Sequence, residues 1–437
     1  MPHPPPLKQH PLRASLHNEV HARPPEAMEG PQVISRIVML CDEQQRQAST
    51  THLADLLRDH HLPQPDAHAT HLRLDVGGFR IRWELHTEFV TWTFVRVQPD
   101  AGLDPRAPAT AIEVVPRDWL AALPGSVLAS LHLWILPSGG HEVDRQVRTM
   151  LQEETLVAST VAEGGGELYT DFAIHADGFS RMLLLTDQIA PRRLGRLVQR
   201  LLEIETYRMA ALLGLPAARD VSAVLATAER ELAELAEAIR TATRRDEPLL
   251  LNHLTRLAGQ VESQHAKTHS RLSASAAYFE LVDRRIEDIA ESRLAGMQTM
   301  REFMDRRLTP ARSTCEWAAR RQDALSQRVS RISSLLRTRV EIEQQQSSQE
   351  LLTAMNQRQA MQLKLQSTVE GLSVAAITYY MVGLVSYVAK AGHAIGWPFS
   401  AETSAAVAIP IVALVVWLMM RRLHRELDAS LAERDRS

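Results

Sequence analysis

Cysteine is nearly missing from this 437-residue chain: only Cys41 and Cys315 occur, far apart. Two distant thiols exclude a disulfide framework and a four-thiolate zinc site. A surplus of positive charge is missing as well, since 49 Lys and Arg face 52 Asp and Glu, for a net charge of -3. That balance excludes a broadly basic nucleic-acid binder. The chain carries no G-x-S-x-G elbow and no dinucleotide-binding glycine fingerprint. Gly164-Gly165-Gly166 comes nearest to a phosphate cradle, but a strand-like segment follows it and no Lys stands at the required offset. A hairpin turn is expected there instead. The opening MPHPPPLKQH lacks an apolar signal core, so export of the first 370 residues is not expected.

What is present is unevenly placed. The chain is 45% hydrophobic and 23% charged, and its mean hydropathy of -0.18 matches an ordinary soluble protein. That average conceals two runs without a single charge. Residues 371–389 (GLSVAAITYYMVGLVSYVA) form 19 such positions, and residues 403–420 (TSAAVAIPIVALVVWLMM) form 18. At about 1.5 Å of helix rise per residue, each can cross a hydrocarbon core of about 30 Å. Pro410 in the second run is tolerable in a membrane helix. The short connection at 390–402 makes the pair a hairpin, and Arg421, Arg422 and Arg425 follow at once. By the positive-inside rule, both termini face the cytoplasm, the loop faces outward, and the basic tail 421–437 stays inside a bacterial inner membrane. The first run is the more polar: Thr378, Tyr379, Tyr380, Gly383 and Tyr387 suit either close helix packing or the lining of a pore. Neither run contains Asp, Glu or Arg, which argues against a proton relay.

Residues 217–370 have a helix-forming composition. Leu225, Leu232, Leu235 and Ile239 recur at helical spacing, as do Val329, Ile332, Leu335 and Leu336. Punctuation near Gly259, Gly296 and Thr309-Pro310 predicts three or four long helices forming a bundle or stalk. Arg306, Arg307, Arg312, Arg320 and Arg321 form a basic concentration that ion pairing with adjoining helices would absorb.

Residues 32–216 read as an α+β domain. Gln32–Cys41, Leu72–Val76, Phe79–Leu85, Phe89–Val97, Leu128–Leu136, Thr155–Ala162, Leu168–His175 and Met182–Leu185 carry strand patterns. Gln44–His60 and Pro191–Leu213 read as helices, the second ended by Gly214 and Pro216. Short hairpin links such as Gly77-Gly78 imply a largely antiparallel sheet. Glu84, His86 and Glu88 are assigned to the polar face or a turn. The Pro- and His-rich segment 1–31 contains His17 and His21, four apart around Glu19, which would share one face if helical. His17, Glu19 and His21 are the candidate metal set, although Pro24-Pro25 would stop such a helix and no further ligand is specified. No cofactor is specified, and the absence of a catalytic constellation gives no expectation of enzyme activity.

Four blocks, LHNEVHARPP (16–25), RWELHTEF (82–89), RLLEIETYRMAALLGLP (200–216) and VEGLSVAAITYYMVGL (369–384), resemble a bacterial family of membrane-anchored proteins, the domain of unknown function 3422. The resemblance spans essentially the whole chain and implies architecture and membrane location, but no reaction. The layout is also similar to CorA-type divalent-cation channels, whose first span ends in Gly-Met-Asn. Here Tyr387-Val388-Ala389-Lys390-Ala391-Gly392-His393 stands instead, and a lysine at an outer mouth would repel divalent cations. The expectation is an oligomeric, membrane-bound scaffold or interaction protein with the bilayer and its own copies as partners. The alternative is a CorA-like ion channel built from the hairpin.

Overall fold

The computed structural model describes residues 8–434, apart from 14–15, 18–24, 67–68, 98–107, 140, 187–188, 244, 394–397 and 399. Its contacts divide the chain into two units, Met1–Ser334 and Leu335–Ser437. The first unit is an α/β sheet domain followed by long helices. Its strands are β1 (Gln32–Leu40), β2 (His71–Asp75), β3 (Arg80–Leu85), β4 (Phe89–Val97), β5 (Ser126–Leu136), β6 (Val157–Val161), β7 (Gly166–Thr170), β8 (Ser180–Leu185) and β9 (Ser292–Arg293). They form one nine-stranded sheet in the order β2-β3-β4-β1-β5-β8-β7-β6-β9. Every pairing is antiparallel except β5 with β8, so the largely antiparallel expectation holds. Gly77 adopts a positive φ of 95° in the β2–β3 turn, a conformation that glycine adopts without steric cost.

The two sheet faces differ in chemistry. Strand alternation sends Val33, Ile37 and Met39 of β1 to one face, where they join Trp83, Trp92 and Trp134 in the main core. Helix α1 (Glu43–Asp59) seals this face with Leu53, Leu56 and Leu57, all buried. Asp42 caps that helix by accepting from the Gln45 N–H at 2.7 Å, while the Gln45 side chain returns a bond to the Asp42 N–H. Short helices α2 (Arg117–Ala121) and α3 (His141–Met150) complete the layer. The opposite face takes Ile34, Arg36 and Val38 of β1. Helices α4 (Pro191–Leu212) and α6 (Glu247–Asp288) cover it, with Tyr207 and Tyr278 packed against Val38, Phe89 and Ala129.

Three helix boundaries differ from the sequence expectation. Gly214 does not end the helical run; it begins α5 (Gly214–Thr241) after a single non-helical residue. A Cβ at 214 would overlap Ser275 Oγ, so this glycine permits close helix approach rather than a stop. Gly259 lies inside the 42-residue α6 without interrupting it. A mid-helix glycine costs about 1 kcal/mol relative to alanine, which the buried Leu254, Leu257 and Val261 outweigh. The actual break follows α5, where Asp246 accepts bonds from the Thr243 hydroxyl and N–H and Pro248 opens α6. Segment 171–175, read as strand, lies outside β7, and there Asp171 bonds the Ala173 N–H and the His175 ring instead. After α7 (Met300–Arg307), helix α8 runs without a break over 85 residues, Thr309–His393, and α9 covers Ala401–Arg434.

Candidate functional site

The helix-covered face of the sheet buries a layer of charge. Arg36 and Glu84 are 4% and 3% exposed. Arg82 donates to Glu84 Oε1 at 2.6 Å, Thr91 Oγ1 donates to its Oε2 at 3.2 Å, and Arg36 Nη2 lies 3.8 Å away. Burial alone would raise the Glu84 carboxyl, but Arg36 and Arg82 outweigh it and hold it down to about 2. Burial also pulls the Arg36 guanidinium below its ordinary value, against the attraction of Glu84. Among the described residues, Arg36 Nε and Thr93 Oγ1 have no hydrogen-bond partner.

The covering helices extend the layer. Arg285 of α6 pairs with Glu203 of α4, and Arg208 grips Glu205 through two bonds of 2.7 and 3.0 Å. Arg271 of α6 pairs with Glu88 at the β3–β4 end, where the Tyr278 hydroxyl also donates at 3.1 Å. Glu88 lies in the β3–β4 turn, as expected, and ties it to α6, but the polar strand face that carries Glu84 is covered: Glu84 is the buried centre of an Arg–Glu–Arg triad. Regular alternation in RWEL identifies which residues share a face, but not that α4 and α6, far downstream in the chain, cover it. The basic concentration on α7 and α8 is largely consumed by pairing: Arg312 with Asp283 at 2.6 Å, Arg321 with Glu229 at 2.8 Å and Arg320 with Glu316 at 3.5 Å.

On the other face, Ser35 and His132 stand directly opposite on β1 and β5, with Ser35 Oγ 2.8 Å from His132 Nδ1. Ser35 Oγ also accepts from the Ala111 N–H at 3.2 Å. A hydroxyl bonded to a histidine is the geometry of an activated nucleophile. Here the residues are 0% and 1% exposed and the ring is stacked on Phe179, which makes the pair a cross-strand lock. Burial pushes His132 down to about 4. A folded value below the unfolded one means that stability falls as pH drops from about 6.5 towards 4, by about 3 kcal/mol. Urea unfolding at stepped pH should show this decline, and His132→Phe should remove it.

The predicted metal set is divided by what the structure describes. His17 lies in an exposed helical turn, whereas Glu19 and His21 fall outside the described residues. Among the described residues no group of His, Cys, Asp or Glu converges to hold a metal ion. Thr378, Tyr379, Tyr380, Gly383 and Tyr387 all lie on α8, but they do not share a face. Half-buried Val374, Thr378, Val382, Val385 and Ala389 form one stripe, and the remaining described element of this unit, α9, carries its own at Ala405, Ala408, Val412, Val416 and Met420. Tyr380 and Tyr387 point the other way, 71% and 74% exposed. The Thr378 hydroxyl donates back to the Val374 carbonyl at 2.8 Å, as Ser373 and Ser386 do to Val369 and Val382. Arg421 and Arg422 are exposed at the α9 surface, with Arg421 stacked over Trp417; Arg425 continues the helix, and its side chain is outside the description.

Among the described residues, three helical stretches are long and apolar enough to cross a membrane: 191–241, one within 309–392, and 402–422. In their most apolar windows 33%, 0% and 6% of the residues are buried. The first therefore already packs its apolar side inside the sheet domain, and the other two leave theirs open. A comparison with curated proteins found no match. The family model described as a protein of unknown function (DUF3422) matches residues 8–427, nearly the whole length, and the chain belongs to that family.

Proposed function

We propose that the protein is a membrane-anchored, self-associating scaffold that presents its sheet domain and long helices in the cytoplasm of a bacterial cell. In this reading, residues 371–389 and 403–420 cross the inner membrane as a hairpin, and Arg421, Arg422 and Arg425 keep the C-terminal end inside. The observation that carries the reading is an exposed apolar stripe along α8. At about 100° per residue, Leu351, Met355, Leu365, Val369, Ala376, Tyr380, Gly383 and Tyr387 lie within about 60° of a single line, interrupted by Arg358 and Gln362. Leu351, Met355, Leu365 and Val369 are 65%, 60%, 61% and 60% exposed. A helix with an open apolar stripe gains most of its stability by packing that stripe against a partner. A second copy inserted by the same hairpin runs parallel to the first and meets it along this line. Gly383 provides the notch that close helix approach in a bilayer favours.

Gly383→Leu is a clean test, because a Cβ at 383 meets nothing within 4 Å inside the chain. We expect crosslinking in mild detergent to trap oligomer in the wild type and several-fold less in Gly383→Leu, with helix content unchanged. Met381→Ala, off the stripe, should leave the oligomer intact. A monomeric wild type, or a Gly383→Leu protein that crosslinks as well as wild type, would remove the self-association part of the proposal.

A further inference from the structure

We infer that the groove between α6 and the first turns of α8 binds a small molecule carrying a neutral carbonyl oxygen on an apolar body. The groove encloses about 360 Å³, within the range of about 300–1,000 Å³ usual for ligand pockets. Its floor is apolar and buried, formed by Leu272, Phe279 and Cys315. One end is polar, formed by His265, His269, Gln322 and Asp323.

The polar end holds a donor with nothing to bond. Gln322 is 1% exposed; its Oε1 accepts from the Thr268 hydroxyl at 3.1 Å, and its Nε2 has no hydrogen-bond partner among the described residues. A buried donor left idle costs about 1–3 kcal/mol, a cost that a bound acceptor would remove. The His265 Nε2 lies 3.2 Å from Asp323 Oδ1, so that ring already faces a carboxylate. The His269 ring is tilted against that of His265, with centroids 4.8 Å apart.

The cations lining the groove are already engaged. Arg312 donates to Asp283 and to the Phe279 carbonyl and covers the Phe279 ring, while Arg320 is held by Glu316. An acceptor oxygen is therefore directed to Gln322, and an apolar body lies along Leu272 and Phe279. Asp323 at the same end disfavours a carboxylate and favours an uncharged carbonyl.

The test uses the full-length protein in detergent, with benzamide and benzoate as probes read by saturation-transfer NMR. We expect transfer to benzamide in the wild type, weaker transfer to benzoate, and at least fivefold less benzamide signal in both Gln322→Met and Ala276→Trp. Ala276 lines the groove from an exposed position, so the bulk added there fills the groove without entering the core. Gln322→Met should also melt no lower than wild type without a probe, because it removes an unpaired amide and Thr268 retains its bond to the Gln264 carbonyl. Stronger benzoate than benzamide binding, undiminished benzamide transfer in either variant, or no transfer in the wild type would overturn the assignment.

Discussion

Glu84→Ala destabilises the sheet domain by about 3–5 kcal/mol, the range seen when one member of a buried ion pair is removed and its partner stays charged. Arg36, 4% exposed, would then lose the carboxylate 3.8 Å from it, and Arg82 and the Thr91 hydroxyl would each lose a bond. Urea unfolding followed by tryptophan signal measures this, since Trp83 and Trp92 lie on the same two strands. Replacing the whole triad, Arg36→Met with Arg82→Met and Glu84→Leu, should cost far less, because no buried charge is then abandoned. The pH dependence has a fixed sign. A carboxyl held at about 2 when folded contributes fully above its unfolded value near 4.5, and the contribution fades as pH falls towards 2. A Glu84→Ala loss below about 1 kcal/mol would mean that the triad is not charged in the folded protein.

Much of the sheet was legible because its signals are local. β4 matches its expected bounds, β1 differs by one residue, and the Gly77-Gly78 turn lies where the hairpin required it. The helix boundaries failed where distant contacts decide them. Gly214 and Pro216 look like a stop, but Ser275 and Cys315 lie within Cβ distance of Gly214, and neither is near it in sequence. Gly259 looks like punctuation until the apolar burial of α6 is known. The true break did carry a local signal, Thr243 and Asp246 ahead of Pro248, and went unread. The charged layer was hidden for a different reason. Arg82 and Glu84 follow the polar half of a strand repeat, and only the docking of α4 and α6 makes that half an interior. Gln322 has the same character: helical spacing places it, but its idle amide is defined by the groove around it.

A chain ended after Val340 leaves the membrane entirely, while the full-length protein stays in the pellet through an alkaline carbonate wash. The reasoning rests on which apolar helices are already satisfied. The stretch 191–241 is retained in the shortened chain, and its Leu194, Leu197, Val198, Leu201 and Leu202 are buried within the first unit. Glu205 on the same helix is 4% exposed and bound by Arg208, a pairing suited to a protein interior. If 191–241 were a span, the shortened chain would remain in membranes. The two stretches removed are open along their length, with Tyr379 at 78%, Val388 at 72% and Met419 at 69% exposure. Leaving that much apolar surface in water costs about 25 cal/mol per Å², whereas a bilayer accepts Leu, Ile, Phe and Val at about -0.3 to -0.6 kcal/mol each. The hydroxyls of Ser373, Thr378 and Ser386 enter without penalty because each is bonded within its own helix. Retention of the shortened chain would place the anchor elsewhere, and carbonate extraction of the full-length protein would withdraw the bilayer from the proposed function.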